Sequence, residues 1–197
     1  MSKYLKLFFL SLAISINAAW AGDVEDGLVA FDKKDYATAL IKYKQAAAQG
    51  NAMAQSLLGY MYNNGQGVIQ DYAEAVRWYK LAAVQGHAIA QFNLAVKYDN
   101  GLEVAQDYAE AVRWYKLAAA QGLLAGQVNL GYMYVKGQGV VQDFTRAHMW
   151  WNLAAVTGNA DAVKNRDMIA KQMTPQQIAE AQKLARECQA RNFKNCD

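Results

Sequence analysis

The stretch DYAEAVRWYKLAA stands at residues 71–83 and recurs, letter for letter, at residues 107–119. At the same spacing of 36 positions, residues 35–50 read DYATALIKYKQAAAQG and residues 143–158 read DFTRAHMWWNLAAVTG. Self-similarity at a fixed period of this length is typical of proteins built from stacked repeats. The sequence therefore predicts four repeats, at residues 35–70, 71–106, 107–142 and 143–173, of which the fourth is degenerate.

Each repeat has the pattern of two short helices. In the second repeat Asp71 is placed to cap the first helix, and Glu74 three residues later completes a capping-box pattern. Gly86 is suited to end this helix in a left-handed conformation, as Gly50, Gly122 and Gly158 are in the other repeats. One face of this helix combines small and aromatic residues and is expected to be buried: Tyr72, Ala75, Tyr79 and Ala82.

The second helix of the repeat follows at once and has its own periodic face. Ala90, Leu94 and Tyr98 recur at every fourth position, and Gly101 is expected to end the helix. Two of the connecting loops read Gly-Gln-Gly-Val, at residues 65–68 and 137–140. The middle loop has Glu103 in place of the second glycine, so its backbone is expected to differ locally.

A helix pair this short cannot bury both of its faces alone, so stacking on the next pair must complete the core. The predicted fold class is all-α: an α/α superhelix, or solenoid, of four helix-turn-helix repeats of about 36 residues. A capping helix is expected within residues 22–34, where Leu28 and Phe31 would cover the first repeat. A closing helix is expected to begin at Thr174 and Pro175, within a C-terminal segment of residues 174–197 that contains both cysteines.

The first 21 residues have the pattern of a signal peptide. Lys3 and Lys6 precede an apolar run at residues 7–16, and Ala19 and Ala21 offer the small side chains that signal peptidase requires. The run is too short to cross a bilayer of about 30 Å as a stable helix. We expect cleavage before Gly22 and export to the periplasm or beyond the cell; an uncleaved membrane anchor is the alternative. No membrane-spanning segment is expected in the mature chain.

Charge and cysteine content narrow the function classes. Lys3 and Lys6 are two of the 20 basic residues, which leaves 18 in the exported chain against 17 acidic ones. A nearly neutral chain has no electrostatic footprint for nucleic acid, so that partner is excluded. Cys188 and Cys196 are the only cysteines, and in an oxidising compartment they are expected to form a disulfide. Free thiols are the alternative.

The repeats resemble the Sel-one-like repeat family, a subclass of the tetratricopeptide-type α/α repeats. The resemblance covers about residues 35–165 and rests on Ala-x-x-Trp-Tyr-x-x-Ala-Ala-x-x-Gly at 75–86 and 111–122, followed by Ala-x-x-x-Leu and Gly-x-Gly-Val. The segment from Met173 to Glu187 is similar to the closing helix of exported bacterial members. The resemblance implies a right-handed superhelix that acts as an adaptor for partner proteins.

No catalytic constellation is found in the sequence. Ser56, the sole serine of the exported chain, lacks the lysine of a Ser-x-x-Lys motif, and His87 and His148 stand 61 residues apart. We therefore expect no catalytic residues, no metal and no cofactor. The alternative is an envelope hydrolase or penicillin-binding, β-lactamase-like protein, as assigned to a cysteine-rich branch of the family. That branch has a disulfide in each repeat, whereas these four repeats contain no cysteine.

The candidate binding residues lie on the first helix of each repeat, which in tetratricopeptide-type arrays lines the concave side. Four repeats at about 10 Å per helix layer would offer a groove about 40 Å long, suited to an extended peptide or helix with acidic groups. A solvated helix face is the alternative for the basic strip, and packing between helices is the alternative for the tryptophans. The candidates are Arg77, Lys80, Leu81, Arg113, Lys116 and Leu117, with Trp78, Trp114 and Trp150 in one shared repeat position.

Overall fold

The computed structural model describes residues 22–196, so the predicted signal peptide lies outside the described residues. All regular structure within residues 22–196 is helical, as predicted. Contacts divide the chain into two units, with the boundary in the sequence between Gln85 and Gly86. The first unit contains four helices: α1 (22–32), α2 (Tyr36–Ala48), α3 (Ala52–Asn64) and α4 (Tyr72–Val84). The second contains α5 (Ala88–Asn100), α6 (Tyr108–Ala119), α7 (Leu124–Lys136), α8 (Phe144–Ala155), α9 (Ala160–Ala170) and α10 (Pro175–Ala190).

An aspartate caps the N-terminus of the first helix of every repeat. The Asp71 carboxylate accepts a hydrogen bond from the backbone N–H of Glu74 at 2.9 Å, which satisfies one of the donors that a helix start leaves open. Asp35, Asp107 and Asp143 do the same for the backbone three residues later. The expected capping box is wrong, however, because the Glu74 carboxylate bonds Arg77 instead of the backbone.

The first unit packs around tyrosines that lie against glycines. Tyr43 is fully buried in a core formed with small and aliphatic residues of α1 to α3. A Cβ added at Gly59 on α3 would lie only 2.6 Å from the Tyr79 ring of α4, so only glycine lets the two helices approach this closely. The predicted buried face of α4 is correct for Ala75, Tyr79 and Ala82. It is wrong for Tyr72, which starts the helix and is exposed.

The N-terminal helix is joined to the first repeat by charge as well as by apolar contact. Lys42 occupies the repeat position that holds tryptophan in the later repeats, and its ammonium lies 2.9 Å from Asp23 and 3.3 Å from Asp26 of α1. Leu28 and Phe31 pack against the core of this unit, as expected. In the first repeat, an ion pair with α1 therefore takes the place of the indole found in later repeats.

In the second unit, an aromatic residue again occupies the core position that Tyr43 and Tyr79 hold in the first unit, and the last repeat uses tryptophan there. The Tyr115 hydroxyl accepts a hydrogen bond from Asn129 at 3.0 Å, and its oxygen lies 3.2 Å from Asp99. The Trp151 indole replaces the tyrosine of earlier repeats and donates to the Val128 carbonyl at 3.0 Å. The closing helix α10 packs against α8, and its first turn has a complete capping box between Thr174 and Gln177.

The loop that lacks the second glycine keeps the conformation of its counterparts. Glu103 has a φ of 60°, close to the 69° of Gly67 and the 70° of Gly139. The expectation of a locally different backbone is therefore wrong. The turn geometry is imposed by the helices that it connects, and a residue with a side chain adopts it at a conformational cost.

Candidate interaction surface

The predicted binding residues fall into two groups, one in each unit. On α4 they are Arg77, Trp78, Lys80 and Leu81, which we call the α4 patch. In the second unit they are Arg113, Trp114, Lys116 and Leu117 of α6 with Trp150 of α8, which we call the α6–α8 patch.

In the α4 patch the arginine is held in a fixed position. Both Arg77 nitrogens that face Glu74 donate to its carboxylate, Nε at 2.8 Å and Nη2 at 2.5 Å. The Arg77 guanidinium carbon also lies 4.6 Å from the centre of the Trp78 ring. These charge-assisted bonds hold the pKa of Glu74 below its usual value. The cation is thus presented to solvent in a defined orientation.

The α6–α8 patch repeats this arrangement with one more bond. Arg113 donates to both oxygens of Glu110, at 3.0 and 2.8 Å, and its guanidinium carbon lies 4.0 Å from the centre of the Trp114 ring. The Trp114 indole donates to the same carboxylate at 3.1 Å. The hydrogen bonds from Arg113 are the largest cause that lowers the pKa of Glu110.

The tryptophans of both patches are largely buried beneath the exposed residues. Trp114 is 6% exposed and Trp150 is 2% exposed, while Trp78 is half-buried. Trp114 and Trp150 therefore offer little indole surface to a partner. Apolar contact area is offered instead by the leucines one turn after each arginine, since Leu81 is 39% exposed and Leu117 is 41% exposed.

The basic strip carries less charge than the residue types alone suggest. Arg77 and Arg113 are each paired with a glutamate on the same helix, which offsets the arginine charge within each patch. In the fourth repeat the arrangement changes: Met149 takes the arginine position, and Arg146 takes the glutamate position and pairs with Asp143 at 2.9 Å. Each patch thus combines an arginine–glutamate pair with an exposed leucine.

The candidate chemical residues are placed in structural roles. His87 caps α5 by accepting from the Ala90 N–H at 3.3 Å, and burial lowers its pKa. His148 is buried in α8, where burial, and to a lesser extent Arg166, lowers its pKa. Among residues 22–196, no three His, Cys, Asp or Glu side chains lie close enough together to hold a metal ion. No helix in that same range is both long enough and apolar enough to cross a membrane.

Two features of the site region were not singled out in the sequence. A pair of buried glutamines recurs with the repeat: Gln55 accepts from Gln85 at 2.7 Å, and Gln91 accepts from Gln121 at 2.8 Å. Lys97 is buried in the repeat position that holds methionine in the neighbouring repeats, and burial lowers its pKa. The repeat register of the glutamines was visible in the sequence, whereas the burial of Lys97 was not.

The two cysteines lie together at the end of α10. Their sulfur atoms are 2.04 Å apart, which is a disulfide bond. Cys188 is buried on the helix, and Cys196 is half-buried in the segment that follows. The bond fastens residues 191–196 to the closing helix.

Comparison with known proteins supplies a family and two similar structures. The sequence matches one family profile, described as Sel1 repeat, over residues 21–51, 52–87, 88–123 and 124–155. A Sel1 repeat protein from Oxalobacter formigenes is 32% identical with a TM-score of 0.64, over 82% of this chain and 74% of that one. A protective antigen of uropathogenic Escherichia coli that displays an SLR fold is 28% identical with a TM-score of 0.61, over 81% of this chain. The chain spans 42% of that antigen. No curated protein is similar enough to count as a match.

Proposed function

Because the chain belongs to the Sel1 repeat family, whose members are generally scaffolds for protein–protein interaction, we propose that it is a non-enzymatic scaffold for one partner protein or peptide. The α4 patch and the α6–α8 patch are the proposed contact surfaces. The observation that carries the proposal is the recurrence, 36 residues apart, of an arginine fixed by a glutamate and a tryptophan beside an exposed leucine.

This arrangement suits recognition of an acidic, partly apolar segment. An arginine already held in place loses little conformational entropy when it meets a carboxylate, because its rotamer is set before binding. The neighbouring Leu117 offers apolar area that would leave water on contact. Arginine is also one of the residue types that are enriched in binding hot spots.

We further propose that the protein works after export, in the periplasm or beyond. The basic start, apolar run and small residues of the first 21 positions support this, as does the disulfide, which persists in oxidising compartments. The envelope-hydrolase alternative is disfavoured by the position of Ser56, the sole serine among residues 22–196. Ser56 is 5% exposed within α3, where a substrate could not reach its hydroxyl.

In-cell cross-linking tests the scaffold proposal. A photoreactive phenylalanine analogue replaces Leu117, and the matched control places it at Tyr132 on α7, which is 39% exposed against 41% for Leu117. We expect a discrete cross-linked partner from position 117 and not from position 132. Mass spectrometry of the product identifies the partner.

Charge reversal then tests the role of the arginine. Arg113→Glu is expected to reduce the cross-link about tenfold, because a charge-assisted contact is replaced by repulsion. Lys183→Glu on α10 is the control, since Lys183 also faces a glutamate three residues away. Circular dichroism verifies that both variants remain helical. Equal yields from positions 117 and 132, or no product at either, would count against the proposal.

A further inference from the structure

The C-terminal segment after α10 forms a closed loop on the second unit. We call residues 188–196 the tail loop. It begins at Cys188, which is fully buried on α10, and returns to it through Cys196. Because α10 packs against α8, the disulfide places this loop beside the α6–α8 patch.

The tail loop has three residues in the left-handed region of backbone conformation, and for Phe193 this conformation is unfavourable. Asn192, Phe193 and Asn195 have φ values of 51°, 62° and 52°, in the left-handed region. Asparagine tolerates this region, whereas a bulky residue such as phenylalanine adopts it at a conformational cost. Such a conformation persists only where the surrounding structure enforces it, and the disulfide is the covalent constraint available here.

The constrained loop forms one wall of a cavity. The cavity has a volume of about 310 Å³ and is lined by residues of α6, α8 and the tail loop. The helical part of the lining includes Leu117, Ala120 and Trp150, and the tail loop contributes Phe193 and Asn195. The Phe193 ring also reaches the backbone after α6, since its Cε2 atom is 3.4 Å from where a Cβ on Gly122 would stand.

The size and charge of this cavity indicate what it accepts. Its volume is at the lower limit of ligand pockets, which fits a single side chain rather than a whole cofactor. Its described lining is largely apolar and includes one cation, Lys116, and no acidic side chain. An apolar side chain flanked by carboxylates complements both properties.

We propose that the tail loop completes a pocket on the α6–α8 patch for one apolar side chain of an acidic peptide, and that this pocket exists only while the Cys188–Cys196 disulfide is closed. The proposal rests on the proposed scaffold function. It adds which side chain of the partner is bound and makes that binding depend on the redox state of the disulfide. Formation of the disulfide after export would complete the surface, so the chain would gain its full affinity only in an oxidising compartment.

Opening the pocket is a two-electron thiol–disulfide exchange with a dithiol. A thiolate of the dithiol attacks the sulfur of Cys196, the more accessible of the two, and the Cys188 sulfur leaves and takes a proton. The second thiol of the reagent then displaces the Cys196 sulfur from the mixed disulfide. The protein ends with two thiols, and the dithiol ends as its own disulfide.

Nuclear magnetic resonance with defined peptides tests the pocket. The probe is acetyl-Glu-Leu-Glu-amide. Acetyl-Glu-Ala-Glu-amide lacks the anchor, and acetyl-Lys-Leu-Lys-amide reverses the charge. In the oxidised protein we expect the probe to shift the Trp150 indole and Phe193 amide signals, with at least fivefold weaker binding of both controls.

Reduction supplies the second arm of the test. With dithiothreitol, and in the Cys196→Ser variant, we expect at least fivefold weaker probe binding and faster tryptic cleavage after Arg191 and Lys194. Thermal melting monitored by circular dichroism verifies that the helices remain folded. Equal probe affinity in oxidised and reduced protein, or an absence of shifts at Trp150 and Phe193, would overturn the proposal.

The two proposals fail in distinguishable ways. If the probe shifts Arg113 and Leu117 signals equally in both redox states, the surface binds but the pocket inference is wrong. If no partner is captured at position 117 in cells, the scaffold proposal fails whatever the peptide does.

Discussion

Equivalent positions in successive repeats mostly hold similar residues. Where one repeat departs from this pattern, the local contacts of the substituted residue explain the difference. Lys42 replaces the tryptophan of later repeats where two aspartates of α1 lie within reach. Lys97 replaces a methionine in a buried position, and the charge of Glu103 favours its ammonium form against the effect of burial. Glu103 thus stabilises the charge of Lys97, but its left-handed backbone costs conformational free energy.

Glu103 provides a test at this scale. Replacement by glycine should relieve the left-handed backbone but also remove the interaction with Lys97. Glu103→Gln removes only the charge, so it is the matched control. We expect Glu103→Gly to be about 1 kcal/mol more stable than Glu103→Gln in urea unfolding. A glycine variant no more stable than the glutamine variant would show that the φ of 60° carries no cost.

Helices are defined mainly by their caps, which the repeat reproduces with one omission. The N-cap residues of the second helices are Asn51, His87, Leu123 and Asn159. Three of these side chains accept a hydrogen bond from the backbone three residues on, whereas Leu123 makes no such bond. The start of α7 therefore lacks a cap that its counterparts possess.

Leu123→Asn is expected to supply the missing cap. The backbone of Leu123 has φ −68° and ψ 111°, close to the −65° and 113° of Asn51, so the new amide should reach the Gly126 N–H without rearrangement. We expect a gain of about 1 kcal/mol, measured by thermal or urea unfolding. Leu123→Ala removes the same apolar contacts without adding a cap and is the control. If the asparagine and alanine variants have the same stability, no cap has formed.

At the scale of the whole molecule, the repeats must be closed at both ends, and the chain uses different chemistry at each. The first unit is covered by α1 with an ion pair and apolar contacts. The second is closed by α10 and a disulfide. Both solutions avoid leaving the apolar face of a terminal helix pair in water.

Global stability should depend on pH through the two histidines. Burial lowers the pKa of His87 and His148 below the usual 6.5, so both remain neutral in the folded chain when the unfolded chain already binds protons. Their contribution is therefore complete above pH 6.5 and is lost as pH falls through the folded-state pKa values.

Urea unfolding between pH 7 and 5 measures this loss. His148→Gln cannot be protonated, so we expect a flatter profile than in the parent chain. His87→Asn should also flatten the profile while it retains the cap, since asparagine occupies this position in two other repeats. Identical slopes in the parent and both variants would contradict the assignment.

The sequence by itself determined the all-α class, the helix pairs, the aspartate caps and the family, because each depends on local spacing that recurs every 36 residues. Recurrence also revealed the aligned tryptophans and the arginines beside them. Local patterns are reliable here because a short helix is set by its caps and its apolar face.

Only the tertiary structure decided which of these side chains are accessible. It buried Trp114 and Trp150, exposed Tyr72, and fixed Arg113 between Glu110 and an indole. It also brought the tail loop beside α6, which follows from α10 packing on α8 and not from any local pattern. Accessibility and pocket shape depend on contacts between residues far apart in the chain, and a repeat period carries no information about them.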